Sequence, residues 1–287
     1  MRVKRFVVLL LISSLLLLAM VGCSGDSVQA KQLYLDAVDA LAQANSYAYD
    51  MTLDQVLRFP EPIPIGFGEE TDTMTTQIRL TGRCIEDPLA MVMTLKASMP
   101  DFMDLEDLAG LQAYMVDNKM YLYLDMFGEW WSYDEEFVED AMAEVEEVAG
   151  SSSDPMYFIN TLDEDDVANA SVKEDKGYYT LIITVADGAL ADSIIDEMMD
   201  QVALELNEEE TEAVLEGIEF SNFKYEMRIE KETDLPTNVS LDFTLTITVE
   251  GETLEIVQGA EMIYSEFGAF DSIEVPEEIK EIATPIQ

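Results

Sequence analysis

The chain has 287 residues, of which 60 are acidic, 15 basic and none histidine, giving a formal charge of −45. That field excludes nucleic acid as a direct partner, because counterion-releasing contacts to phosphate need Lys and Arg. The lack of histidine excludes a Ser-His-Asp triad and any histidine-bound zinc. Disorder is excluded as well, since 48% of the residues are hydrophobic.

Arg2, Lys4 and Arg5 precede an uncharged run from Phe6 to Gly22, the layout of a signal peptide. The run is nearly long enough to span a bilayer, so an uncleaved anchor is the competing reading. Met20, Val21, Gly22 and Cys23 resemble the lipobox of bacterial lipoproteins, with Met20 in place of the usual leucine. The resemblance implies cleavage before Cys23 and acylation of its thiol, with residues 23–27 as a short tether and 28–287 as one domain. Cleavage removes three basic and no acidic residues, leaving 60 acidic against 12 basic, a charge of −48. Either reading places the rest of the chain outside the cytoplasm, on the cell membrane or on an outer membrane where one exists.

With Cys23 acylated, Cys84 has no partner for an intrachain disulfide. The expectation is a small buried residue. The sharper alternative, a reactive thiol, lacks a histidine to activate it.

Val28, Leu33, Tyr34, Ala37, Val38 and Leu41 recur at helical spacing as far as Ala44. From Tyr47 the period falls to two, through Tyr49, Met51 and Leu53, which predicts a half-buried strand. Phe59 to Gly68 holds three prolines, Ile63, Ile65, Phe67 and two glycines, and reads as an apolar loop that either flaps over a cavity mouth or packs back on the body.

Alternation returns at Met74 to Leu80 and again at Leu89, Met91, Met93 and Leu95. Asp117, Asn118 and Lys119 suit a tight hairpin turn between Tyr114–Val116 and Met120–Leu124, and Trp130 to Tyr133 predicts a further strand.

Helical spacing is expected over Glu135 to Ala149, over Met156 to Leu162 behind an Asp154-Pro155 cap, and over Leu190 to Leu206 after a strand at Tyr179 to Val185. Three strands follow, of which Val239 to Val249 alternates most regularly. Long antiparallel runs interrupted by a few helices predict an α+β fold, a strongly curved antiparallel sheet or half-barrel with helices packed on one face.

This order of elements resembles the LolA/LppX-type lipoprotein superfamily. The Val116-Asp117-Asn118-Lys119 turn, Trp130-Trp131, Leu235-Pro236 before a long strand, and Val275-Pro276-Glu277-Glu278 resemble its uncharacterised members. The resemblance implies a half-barrel around an apolar cavity that holds acyl chains or another hydrophobic molecule. It supplies no ligand set that can be placed residue by residue.

From the residues themselves, Met51, Met91, Met93 and Met227 fall on the apolar side of predicted strands, where flexible thioethers suit a wall that adapts to several ligands. Ordinary core filling is the competing reading. Phe67, in the apolar loop, is a further candidate ligand contact, and Trp130 and Trp131 face the same choice between ligand contact and core, with core favoured because adjacent strand residues point oppositely. Asp163 to Asp166 offers oxygen ligands for calcium, although four adjacent acids cannot converge on one ion and a solvated turn fits them better.

No glycine-rich phosphate loop follows a strand, and paired carboxylates are abundant without a sugar platform. The expectation is therefore a non-catalytic, cofactor-free, membrane-anchored lipoprotein that binds a lipid or other hydrophobic molecule. The alternative is a structural or protein-interaction lipoprotein that meets an envelope partner through its acidic surface.

Overall fold

The computed structural model describes residues 27–66, 69–99, 105–138, 169–184, 217–249 and 251–286. Helix α1 (Ser27–Ala44) comes first. It ends at Asn45, whose φ of 58° is the left-handed conformation that Asn tolerates after a helix. The Asn45 amide donates to the Asp87 carbonyl (3.1 Å) and its oxygen accepts from the Asp87 N–H (3.0 Å), tying the helix end to a distant turn.

Six strands then follow as a meander: β1 (Ser46–Gly66), β2 (Glu69–Ile85), β3 (Ala90–Met99), β4 (Leu105–Val116), β5 (Lys119–Leu124) and β6 (Glu129–Tyr133). The second meander comprises β7 (Asn169–Asp175), β8 (Tyr178–Thr184), β9 (Ile218–Glu230), β10 (Pro236–Val249) and β11 (Glu252–Ser265). A short helix α2 (Glu277–Ile282) and strand β12 (Thr284–Ile286) close the chain.

Among the described residues the twelve strands belong to one sheet, in the order β12-β6-β5-β4-β3-β2-β1-β11-β10-β9-β8-β7. The sheet is open and curved, as expected. The two meanders join along one seam, where β1 runs antiparallel to β11 from Ala48↔Ser265 to Arg58↔Glu255. Every neighbouring pair is antiparallel except β12 on β6.

Period-two alternation gives this sheet two unlike faces. On the inner face Ala30, Tyr34 and Ala37 of α1, spaced at i, i+4 and i+7, bury against Leu181, Ile183, Phe220, Phe243, Leu245 and Ile256. Burial of each large apolar side chain there contributes about 1.5–3 kcal/mol. The outer face is polar: Arg79 grips Asp50 through two hydrogen bonds (3.0 and 2.6 Å), and Arg58 pairs with Glu255 across the seam. One part of it is covered, where Phe270 and Ile273 lie on Ile85, Ala90, Val92, Tyr114 and Val116.

Several expectations change. Phe59 to Gly66 is strand, not loop. Beyond Arg58 the pairing of β1 with β11 has ended, so Pro60, Pro62 and Pro64 sit where one side of the ladder needs no donor. An irregularity absorbs Pro60 and Pro62, since β1 advances five positions from Arg58 to Ile63 while β2 advances two, from Thr73 to Thr71, and a second shift follows Pro64. The predicted helices at Met156 to Leu162 and Leu190 to Leu206, most of that at Glu135 to Ala149, and the Asp163 to Asp166 run lie outside the described residues.

Candidate functional site

Cross-strand register lays the inner face out in rows. One row runs Tyr47, Cys84, Met91, Met115, Met120 and Tyr133 from β1 to β6. The next runs Tyr264, Tyr49, Gly82, Met93, Ala113, Leu122 and Trp131. A third crosses nearly the whole sheet, with Leu95, Leu80, Met51, Met262, Val239, Met227 and Leu181 in register.

Over the second meander this face is closed by α1, and Met227 is 5% exposed. Over the first meander Met51, Met91, Met93, Leu95, Met115 and Leu122 are half-buried. The inner face is therefore a largely apolar wall, with its flexible thioethers concentrated where it is least covered.

Tyrosines gather at one end of the wall. The Tyr47 ring lies 6.4 Å from Tyr49 and 5.7 Å from Tyr264. Burial pushes Tyr49 and Tyr264 up to about 12. Burial raises Tyr47 well above the usual phenol range, with neighbouring Cys84 and Glu86 adding to the effect. Burial and Glu86 likewise raise the Cys84 thiol, so this buried cysteine stays protonated and is a poor nucleophile.

Tyr49 occupies space that Gly82 leaves free. A Cβ on Gly82 would lie 2.5 Å from the Tyr49 hydroxyl and 2.5 Å from the Val92 carbonyl oxygen.

Deeper in the wall a buried polar row interrupts the apolar pattern. Thr76, Gln55 and Gln258 stand side by side on β2, β1 and β11, each at most 2% exposed. Gln55 Nε2 donates to Gln258 Oε1 (3.1 Å), while Gln258 Nε2 and Thr76 Oγ1 have no hydrogen-bond partner. A buried unpaired group of this kind costs about 1–3 kcal/mol, so its presence in an apolar wall calls for a physical reason.

The model of a family of unknown function, DUF6612, matches residues 29–284. The chain belongs to the DUF6612 family. A crystal structure of a beta-barrel-like protein of domain of unknown function DUF1849 from Brucella abortus is similar to this DUF6612 chain at 11% identity and a TM-score of 0.19, covering 77% of this chain and 96% of that one. No curated protein sequence matches the chain.

Within the DUF6612 chain, Met51, Met91, Met93 and Met227 share the inner face as expected of a common wall. Trp130 does not, because adjacent strand residues point oppositely: it packs on the outer face against Tyr123 (5.3 Å) and Tyr114 (6.0 Å). Trp131 is the tryptophan on the inner side, edge-on to Phe127 at 5.1 Å. Cys23 and Phe67 lie outside the described residues.

Gln55, Thr76 and Gln258 went unnoticed in the sequence, although the signal was present. Each is a polar residue at an inward position of an otherwise apolar alternation. Among the described residues no three of Cys, Asp and Glu converge as a metal site, and no helix is long and apolar enough to cross a membrane.

Proposed function

We propose that this DUF6612 protein is a lipid-anchored extracytoplasmic lipoprotein that holds a lipid or other hydrophobic small molecule against the inner face of its sheet and performs no chemistry on it. The observation that carries the reading is the wall itself. Apolar rows run in register across strand after strand, and the half-covered stretch is lined by Met51, Met91, Met93 and Met115.

The lipobox-like Cys23 motif, the order of elements and the short motifs at 116–119, Trp130-Trp131, Leu235-Pro236 and 275–278 are the features by which the sequence resembles LolA/LppX-type lipoproteins, and acyl-chain binding enters from that resemblance. No cofactor is required. The phenols and the thiol on the wall are held protonated, which suits packing against an apolar guest better than proton transfer at neutral pH.

Native mass spectrometry of the membrane-extracted protein tests this. The expected spectrum carries a noncovalent adduct that organic extraction removes, and the stripped protein then takes up a lipophilic naphthylamine probe. A bare mass together with no probe uptake rejects the reading.

The rival role, contact with an envelope protein through the acidic surface, draws support from Met126 and Phe127. They are 72% and 56% exposed at the β5–β6 turn. Bare mass with loss of a cross-linked envelope partner on Met126→Ser/Phe127→Ser substitution would favour that role instead.

A further inference from the structure

We infer that Thr76 and Gln258 form a polar anchor in the apolar wall for a neutral oxygen-bearing group, an ester carbonyl or hydroxyl, on the bound hydrophobic molecule. This deepens the proposed lipid-holding role and rests on it. Three observations converge on the assignment.

The first is placement. Both residues are direct cross-strand neighbours of Gln55, so the three polar side chains form one short row spanning two strand spacings, about 9–10 Å between the outer Cα atoms. The rows on either side are apolar: Leu53, Ile78 and Ala260 on one, Leu57, Met74 and Ile256 on the other.

The second is unspent hydrogen-bonding capacity. Gln55 and Gln258 satisfy one another in part, but Gln258 Nε2 is left as a donor without an acceptor and Thr76 Oγ1 without any partner. The shared requirement is an acceptor oxygen, which a carbonyl supplies with two lone pairs. A hydroxyl could serve Thr76 in either direction.

The third is charge. No ionisable side chain stands in the anchor row or in the two rows that flank it on β1, β2 and β11. A carboxylate or phosphate brought there would be a buried charge without a counterion, whereas a neutral ester or alcohol adds none. Met74, beside Thr76 on the same strand face, is a flexible side chain that can yield to a guest.

The test compares two photoreactive probes of equal chain length on the membrane-extracted full chain: a diazirine-bearing palmitate methyl ester and the matching diazirine hydrocarbon. Labelled peptides are mapped by mass spectrometry, with unlabelled palmitate and methyl palmitate as competitors. The ester is expected to label the inner-face strands about tenfold more than the hydrocarbon, the factor that one hydrogen bond to an otherwise unpaired buried group supplies.

Thr76→Val and Gln258→Met, singly and together, keep side-chain volume while removing the orphaned groups. They are expected to bring the ratio to about one with hydrocarbon labelling retained; Thr76→Val should leave thermal stability equal or higher, whereas Gln258→Met also removes the acceptor of Gln55 Nε2 and should lower it. Equal labelling of the native chain, an unchanged ratio in the double variant, or palmitate competing better than its ester overturns the anchor while leaving lipid holding intact. An unchanged ratio would assign the orphaned groups to buried water. Absence of inner-face labelling by either probe overturns lipid holding, and the anchor with it.

Discussion

Gly82 sits where the Tyr49 ring and the Val92 carbonyl already fill the place of a side chain. Because Tyr49 and the Val92 carbonyl both approach within 2.5 Å of where a Cβ would stand, and one of them is backbone, the strain of Gly82→Ala cannot be relieved by a side-chain shift alone. The substitution should cost about 1–3 kcal/mol, read as a lower denaturation midpoint at unchanged slope.

The same tyrosines set the alkaline limit of the fold. Their phenols are raised by burial to about 12 for Tyr49 and Tyr264, above the unfolded value near 10. Between those values the native state holds protons that the unfolded chain has released, so stability is full below pH 10 and falls as pH climbs toward 12. Unfolding followed at rising pH should therefore coincide with the growth of tyrosinate absorbance, and Tyr49→Phe/Tyr264→Phe should flatten that limb. A double variant with the same alkaline slope as the parent would contradict the assignment.

Which residues faced inward was largely readable from alternation, as at Tyr47, Tyr49, Met51 and Leu53. Trp130, a candidate for the inner wall, lies on the outer face, and two adjacent tryptophans by themselves give no indication of which one points in. Pairing decides it, through Leu122↔Trp131 on the inner side and Tyr123↔Trp130 on the outer.

At the level of elements, α1 is held by its small residues. Ala30 and Ala37 are fully buried, which brings the helix backbone close to the sheet, whereas Val38 one position on is 42% exposed. Ala37→Leu should lift the helix and cost about 1–3 kcal/mol in thermal or chemical unfolding, while Val38→Leu should leave stability within about 0.5 kcal/mol.

Hairpin chemistry was also legible. Asp117 and Asn118, with φ of 53° and 55°, form the tight turn that their residue types announced. What local pattern could not announce was anything decided by distant neighbours. The proline-bearing end of β1 is tolerated because its pairing with β11 ends at Arg58. Strand β12 exists because the edge of β6 is open to Thr284–Ile286, and three residues carry no periodicity of their own. Strand β4 begins at Leu105, well before the Tyr114 at which alternation becomes evident, since Asp107 and Gly110 interrupt the pattern.

For the whole molecule, the proposed anchor and the charge would act against each other. A net −45, or −48 if the chain is cleaved before Cys23, is repelled by anionic headgroups, so under the proposed lipoprotein role attachment would have to come from acyl chains rather than from the surface of the domain. Cys23→Ser should release the protein into the soluble extracytoplasmic fraction or leave it unprocessed, as seen by fractionation and by the loss of acyl mass. Normal lipidated attachment of that variant would falsify the lipoprotein reading.

The seam between β1 and β11 also bears on how the fold is reached. It pairs Ala48 with Ser265, 217 positions later, so the central hydrogen bonds of the sheet cannot form until almost the entire chain is available. Each meander can zip up locally from its own hairpins, but their union carries the loop-closure entropy of everything between them and places this fold among slow, high-contact-order topologies. A chain that leaves the cytoplasm as an unfolded thread would thus cross first and close its seam afterwards. Until then the unpaired edge of β1 carries Asp50 and Asp54 beside its open backbone groups, the kind of charge that discourages wrong pairing during the wait.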